Sequence, residues 1–564
     1  MYIEQARNLS DLFYQRVNLT PERIAYSQFD GASWQEMSWQ QVAVEAGRWQ
    51  TALIKEDLRP GDRVAICLKN SIEWVVYDQA ALGMGLVLVP LFYNDRPDNM
   101  AWCMNDAGVH LMLLGDGSLW PDISSLAMGI KRCICVDNTP DHDKAIALKD
   151  WLPEAGQPFK QADSGADDLA SIVYTSGTTG RPKGVMLTHE NMLSNVLALS
   201  EACHEITDQD EFLSFLPLSH MFERTVGYYS CICKGAKTSF ARSILELSED
   251  MVNLRPTIMV CVPRIFERIY SKVQDGLSKS AFKRVLFNKA VAIGWRRYQG
   301  KASFVDNLLW PVLDHLVGKK LRNRLGGRIR LLLIGGAPMP SYLLETFIGL
   351  GFTFLHGYGL TETSPVICFN RVSNNDPFSV GMPLRDVEVR TEANGELLTR
   401  GPNVMKGYWN NPEATKDAVD EEGWLHTGDV VRIEDDERIF ITGRVKEIIV
   451  MLNGEKVPPA DAEAAILSDT VFQHAMIIGE GRSKLGLIAV ADIEDEAEAC
   501  KRANAQLKDF PGFTKISHIK LLPEPWTVEN GCLTPKLSVK RHVIEKKYAA
   551  EIEEMFASEA ACKG

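Results

Sequence analysis

The chain has 564 residues, of which 45% are hydrophobic and 24% charged. It is too long for one ordinary module and too apolar for a disordered one, so two to four packed units with a large core are expected. Sixty-one Lys and Arg stand against 74 Asp and Glu, a net charge of −13, which argues against a general polyanion binder and against nucleic acid as a partner but leaves room for a local basic site.

Twelve cysteines are scattered along the chain. The close pairs, Cys133/Cys135 and Cys231/Cys233, have neither zinc-site nor CxxC spacing, so buried reduced thiols are expected rather than a disulfide framework. The N-terminal residues Met1 to Arg7 lack the basic and apolar regions of a signal peptide. The longest apolar run, Ala80–Phe92, is interrupted by Gly83, Gly85 and Pro90 and falls short of the roughly 20 residues a membrane span needs. It reads as a helix end passing into a core strand. These features predict a soluble, cytoplasmic protein and leave open peripheral contact with the inner face of a membrane.

In chain order, 38–54 reads as a helix, 62–68 as a strand, 71–82 as a helix and 86–91 as a strand. Short strands follow at 110–115 and 132–136, then at 169–174, 211–215, 257–262 and 329–334. Strands alternating with helices predict an α/β fold with a mostly parallel sheet wrapped by helices. Residues 262–325 read as a helical segment rich in Lys, Arg and Trp. After about residue 378 short strands at 381–390, 396–400, 429–433 and 438–442 alternate with Gly, Asn and Asp turns, predicting antiparallel ribbons or a small β-barrel. Asp435-Asp436 falls at a hairpin tip. From Gly443 the texture turns mixed α/β again, which places a domain boundary there: a large unit over 1–442 and a small α+β unit over 443–564. The latter ends in an amphipathic helix with Ile544, Tyr548, Ile552 and Phe556 on one stripe, expected to pack in the core rather than dock on a membrane.

The strongest chemical signal is Tyr174-Thr175-Ser176-Gly177-Thr178-Thr179-Gly180-Arg181-Pro182-Lys183-Gly184, directly after a strand. Glycines let the backbone curl and present its N–H groups, four hydroxyls add donors, and Lys183 adds a positive charge, an assembly suited to a polyphosphate. It lacks GxxxxGK[ST] spacing, which counts against P-loop ATPases and kinases.

His356-Gly357-Tyr358-Gly359-Leu360-Thr361-Glu362 follows an apolar run, at the strand end where open α/β sheets place ligands. Tyr358 offers a flat face for a base, Thr361 a phosphate donor and Glu362 a hard oxygen ligand for Mg2+. Gly335-Gly336-Ala337-Pro338 could line the same cleft or form a tight turn. Asp429 could accept two hydrogen bonds from a ribose diol, with Arg444 as a second sugar or phosphate contact.

Together these segments resemble the adenylate-forming superfamily of acyl-CoA synthetases, luciferases and peptide-synthetase adenylation domains, over about residues 8–550. Phe215-Leu-Pro-Leu-Ser-His220-Met-Phe-Glu-Arg224, Val262-Pro-Arg-Ile-Phe-Glu-Arg268 and the Gly454–Pro459 segment look like the long-chain fatty acyl-CoA synthetase branch. The resemblance implies ATP-dependent activation of a long-chain fatty acid to acyl-AMP, with Mg2+, and transfer to the thiol of coenzyme A. By motif match, 175–183 would hold the β- and γ-phosphates. Gly336, Ala337 and His356–Tyr358 would line the adenine pocket, while Thr361 and Glu362 would address the α-phosphate and Mg2+. Asp429 and Arg444 would hold the ribose, His220 would stand near the acyl entrance or be a packed histidine, and Lys446 would be the hinge of a mobile C-terminal domain. One departure matters. Long-chain members usually run Thr-Pro-Thr-Leu-Lys-x-Lys-Arg, whereas this chain has Thr534-Pro535-Lys536-Leu537-Ser538-Val539-Lys540-Arg541. Ser538 occupies the catalytic lysine's place; Lys536, beside the proline turn, is the expected substitute and Lys540 the alternative. Two other readings remain: loading of an acyl carrier protein, and a non-catalytic nucleotide-binding homologue.

Overall fold

The computed structural model describes residues 3, 5–175, 181–445, 447–453, 455–508, 510–527, 530–533 and 539–557. Two large sheets dominate. One has nine strands, ordered Met382–Pro383, Val366–Phe369, Phe354–Gly359, Leu331–Ile334, Ile258–Cys261, Glu211–Ser214, Lys237–Phe240, Ile24–Phe29 and Trp34–Ser38. The other has eight, ordered Gly407–Tyr408, Lys183–Thr188, Leu169–Thr175, Val87–Pro90, Arg63–Cys67, Val109–Asp116, Arg132–Asp137 and Ala145–Ala147. Inner neighbours pair parallel; antiparallel strands close both edges of the nine-stranded sheet and the Gly407–Tyr408 edge of the other, whose far edge strand Ala145–Ala147 is parallel.

The central strands are continuously apolar because both their faces are covered. Leu332 and Ile334 point into one core with Met259 and Cys261, while Leu331 and Leu333 point into another with Ile258 and Val260. The first core is capped by Ala281–Tyr298 and Ser341–Gly349. Between the sheets lie Leu9–Leu19, Trp39–Ile54, Ile72–Leu82 and His189–Ala202, and the far face of the eight-stranded sheet is covered by Pro97–Ala107. Local signals set the ends of these elements. Ser38 and Gln41 form a capping box that starts the helix Trp39–Ile54, and Ser71 caps Ile72–Leu82. Among the described residues ten cysteines are free thiols, all buried.

The ribbon region is an open antiparallel sheet, ordered Glu388–Thr391, Glu396–Arg400, Leu425–Ile433 and Ile439–Arg444. The expected 381–390 strand is two pieces. Asp386 has φ +62°, which breaks extension, so Met382–Pro383 joins the large sheet and Glu388–Thr391 the small one. Asp435-Asp436 does lie in the turn between strands. In the last segment Phe472–Ile478, Leu485–Ala491 and Ile516–Leu521 form a three-stranded sheet. Pro459–Ile466 and Glu496–Gln506 cover one face, and Arg541–Lys547 with Ala549–Ala557 cover the other. The last helix, expected as one, is broken at Tyr548, yet its apolar stripe packs in the core as expected. Among the described residues no helix is long and apolar enough to cross a membrane.

Candidate active site

Leu169–Thr175 and Lys183–Thr188 are two arms of a hairpin, with Thr175 opposite Lys183 and Tyr174 opposite Gly184. Ser176, Gly177, Thr178, Thr179 and Gly180 lie outside the described residues. Side-chain contacts brace the hairpin on either side of those residues. The Tyr174 hydroxyl donates to Asp106 (2.6 Å), its ring meets Trp102 edge-on, and Arg181 lies over Trp102. A Cβ on Gly184 would come within 2.9 Å of Ile172 and 3.1 Å of the Tyr174 ring, so glycine there lets the two arms close.

Lys183 and Glu362, far apart in sequence, converge through a residue that the motif reading missed. Tyr408, on the edge strand Gly407–Tyr408 paired with Lys183–Thr188, donates its hydroxyl to Glu362 Oε1 (2.8 Å). Lys183 Nζ stands 5.0 Å from the centre of the Tyr408 ring. The Met405 N–H donates to the Glu362 carbonyl (2.8 Å), tying the edge strand to the turn Thr361–Thr363. A cation, a phenol and a carboxylate, all half-buried, thus share one wall. Among the described residues no three His, Cys, Asp or Glu side chains cluster as a metal cage. Glu362 therefore suits a divalent ion that brings most of its oxygen ligands with it, as a polyphosphate-bound ion does.

His356 pairs with Ile334 across the sheet, so the 354–359 strand emerges beside Gly335–Pro338. Gly336, at φ +80°, and Ala337 form an exposed lip there. His356 is buried with Nε2 unpartnered, and burial depresses its pKa to about 4, leaving a neutral ring. Gly357 and Gly359 admit the neighbouring strand: a Cβ would lie 2.5 Å from the Phe369 ring and 1.7 Å from the Pro365 carbonyl. The Tyr358 hydroxyl donates to Asp429 Oδ2 (2.5 Å), and Arg444 Nε donates to Oδ1 (2.9 Å). Burial raises the Asp429 pKa despite Arg444, and burial together with Asp429 lifts the Tyr358 phenol well above its ordinary value. Arg444 itself is about half exposed.

His220 accepts at Nδ1 from the Phe222 N–H (3.1 Å), and Phe222 packs on Gly335, a Cβ on which would lie 2.8 Å from its ring. The loop thus abuts the same strand ends. Next to it Glu223 and Arg224 open a π-helical turn, Glu223–Tyr229. Arg224 is buried against Asp78 (2.7 Å), Ser171 and Tyr229, which pins the loop to the hairpin strand and to Ile72–Leu82. Glu223 is buried, and burial pushes its carboxyl up to about 8 although Ser214 opposes the shift. Both residues close the Phe215–Arg224 motif of the sequence, but the motif itself assigned neither of them a role. Lys446 and Lys536 lie outside the described residues. Lys540 is half-buried at the start of Arg541–Lys547, and its N–H donates to the Cys532 carbonyl.

The family model of the AMP-binding enzymes matches residues 13–409, and that of the AMP-binding enzyme C-terminal domain matches 446–560. The long-chain-fatty-acid–CoA ligase FadD15 of Mycobacterium bovis is 28% identical, over 98% of this chain and 97% of its own length. A chloroplastic long-chain-fatty-acid–[acyl-carrier-protein] ligase of Arabidopsis thaliana, AEE15, is also 28% identical, over 93% and 83%. The anthranilate CoA ligase AuaEII, solved with anthranoyl-AMP, superposes with a TM-score of 0.77 over 98% of this chain and 99% of its own, at 18% identity, and so shares the fold.

Proposed function

The chain belongs to the AMP-binding enzyme family, and from that premise we propose that it is a long-chain fatty acid–CoA ligase. In the first half-reaction a carboxylate oxygen of the acid attacks the α-phosphorus of ATP, and the bond to pyrophosphate breaks. In the second, the sulfur of coenzyme A attacks the acyl carbon, the thiol proton is lost and AMP departs. The protein positions the reactants and offsets charge as two anions meet. The observation that carries this reading is the convergence of Lys183, Tyr408 and Glu362 beside the hairpin.

Lys183 and residues 175–180 hold the β- and γ-phosphates, and Thr361 faces the α-phosphate. Glu362, oriented by Tyr408, holds Mg2+, which when bound supplies charge neutralisation on the phosphates. Gly336, Ala337, His356, Gly357, Tyr358 and Gly359 line the adenine pocket. The unpartnered Nε2 of neutral His356 is a polar group suited to a base. Asp429 and Arg444 hold the ribose, with Tyr358 fixing the Asp429 carboxylate. His220 stands at the acyl entrance. The unit 443–564 turns about Lys446 between the half-reactions, and Lys536 supplies the ammonium at the α-phosphate. The enzyme works in the cytoplasm, in peripheral contact with the inner face of a membrane.

The test is pyrophosphate release from ATP and oleate. Lys183→Ala should lower it tenfold to hundredfold, the loss of one charge-assisted contact at about 1.5–3 kcal/mol, and Glu362→Gln should raise the Mg2+ requirement. Lys536→Ala should abolish acyl-AMP formation but spare thioester formation from supplied acyl-AMP; the same split in Lys540→Ala instead would move the role there. Absence of pyrophosphate release from the wild type would turn the reading to a nucleotide-binding homologue. The AEE15 likeness supports a second acceptor, acyl carrier protein, and assays with both thiols decide between them.

A further inference from the structure

The helix Phe304–Leu313 is apolar on both sides. Leu313 and Trp310 face the core beside Ala281–Tyr298. On the opposite side Phe304 is 84% exposed, Leu308 67% and Val312 59%, at i, i+4 and i+8. Phe282, 76% exposed on the neighbouring helix, adds to the apolar surface of this segment. Single exposed apolar residues are ordinary, but a continuous row on one helix marks a surface that something covers.

Charge identifies what covers it. Residues 279–330 contain 13 Lys and Arg and two acidic residues, in a chain whose net charge is −13. Both acids are already bonded: Asp306 to Arg296 (2.6 Å) and Asp314 to Arg322 (2.8 Å). Lys283, Arg284, Lys289, Lys319 and Lys320 are exposed. An apolar row with basic residues around it is the composition of a helix lying in the interface of an anionic bilayer. A second copy of the chain fits poorly, since pairing would set two strongly basic faces together.

We propose that Phe304–Leu313 and its basic surround dock the protein on an anionic phospholipid surface, the apolar row entering the headgroup boundary. This deepens the fatty-acid reading, because such an acid partitions into bilayers, and it names the surface that makes the contact. Docking is measured without turnover, so the two readings fail separately.

The experiment floats the full chain with vesicles of phosphatidylcholine alone and of phosphatidylcholine mixed with phosphatidylglycerol. Binding to the anionic vesicles, weakened by salt, is expected. Phe304→Glu with Leu308→Glu should lower it at least tenfold while circular dichroism and pyrophosphate release with a soluble short-chain acid stay unchanged. Lys319→Glu with Lys320→Glu should weaken it by more than tenfold, since each basic residue contributes roughly fivefold near an anionic surface; this variant keeps the proposal testable if the first does not fold. No flotation of the wild type, or equal flotation with neutral and anionic vesicles, overturns the proposal. So does a concentration-dependent dimer in ultracentrifugation that Leu308→Glu abolishes, for the face would then belong to a second copy.

Discussion

Two helical regions carry apolar rows at the same spacing, and the rows end in opposite surroundings. In 541–557, Ile544, Tyr548 and Ile552 are buried at 8% exposure or less against Met476, Ile478, Ile488 and Val490 of the three-stranded sheet. In Phe304–Leu313, the row Phe304, Leu308 and Val312 faces outward. The difference lies in the partner. Alternation along Phe472–Ile478 and Leu485–Ala491 supplies a second apolar sheet face for the C-terminal helices to cover. Phe304–Leu313 meets its core through Trp310 and Leu313, and its other apolar side is left over. Periodicity therefore reveals a row, whereas burial depends on whether another element has a matching face to offer.

Substitution should separate the two rows most sharply. Ile544→Ala and Ile552→Ala remove packed groups and should each cost about 2–4 kcal/mol, read as lost hydrogen-exchange protection across 541–557. Leu308→Ala should change stability by no more than about 0.5 kcal/mol; a loss like that of Ile544→Ala would mean the outward row is covered after all. A smaller contrast concerns the ion pairs that anchor each region. Arg541 Nη1 binds Glu463 Oε1 (2.5 Å), both side chains about 15% exposed or less, and its other amino group donates to the Ile477 carbonyl. Arg541→Met would strand a largely buried carboxylate and should cost about 2–3 kcal/mol. Denaturant unfolding of that variant, with intact protection in 304–313, would place the loss in the C-terminal segment.

Much of this arrangement is legible in local patterns. Strands buried on both faces read as unbroken apolar runs, and Ser38 with Gln41 announces a helix start that the structure reproduces. The phosphate-type loop, the Tyr358 segment and Asp429 were each visible because Gly, Thr and acidic residues cluster at strand ends. What joined them was hidden. Tyr408 bridges Lys183 to Glu362 across long sequence separations, and its own neighbourhood, Gly407-Tyr408-Trp409, has no polar cluster to draw notice. The strand Lys183–Thr188 was missed because it begins with the residues of a turn. The 381–390 strand divides at Asp386, whose left-handed backbone leaves no unmistakable trace in residue types. The buried Asp78–Arg224 pair depends on packing three elements together; a charged residue beside the His220 loop looks solvated until that packing is formed.

The smallest contrast is in pH dependence, and there the two regions should differ in sign. Arg296 holds the Asp306 carboxyl well below its ordinary range, helped by the Ser303 N–H. An acid depressed in the folded state binds protons less readily there than in the unfolded chain, so its stabilisation is present above its unfolded pKa of about 3.9 and fades as pH falls. Glu463 is opposite: burial raises it, and Arg541 offsets only part of that. The folded form then keeps its proton while the unfolded chain loses it near pH 4.3, so stability declines as pH rises from about 4.3 through the raised value. Hydrogen-exchange protection, corrected for intrinsic rates at each pH, should therefore weaken on acidification in the peptides around 304–313 and weaken on the less acidic side in those around 459–466. Asp306→Asn should flatten the first trend and leave the second, and Glu463→Gln should do the reverse. Slopes of the same sign in both regions, or a variant that flattens both, would show that a shared global opening governs exchange and that the two regions do not answer to their own carboxylates.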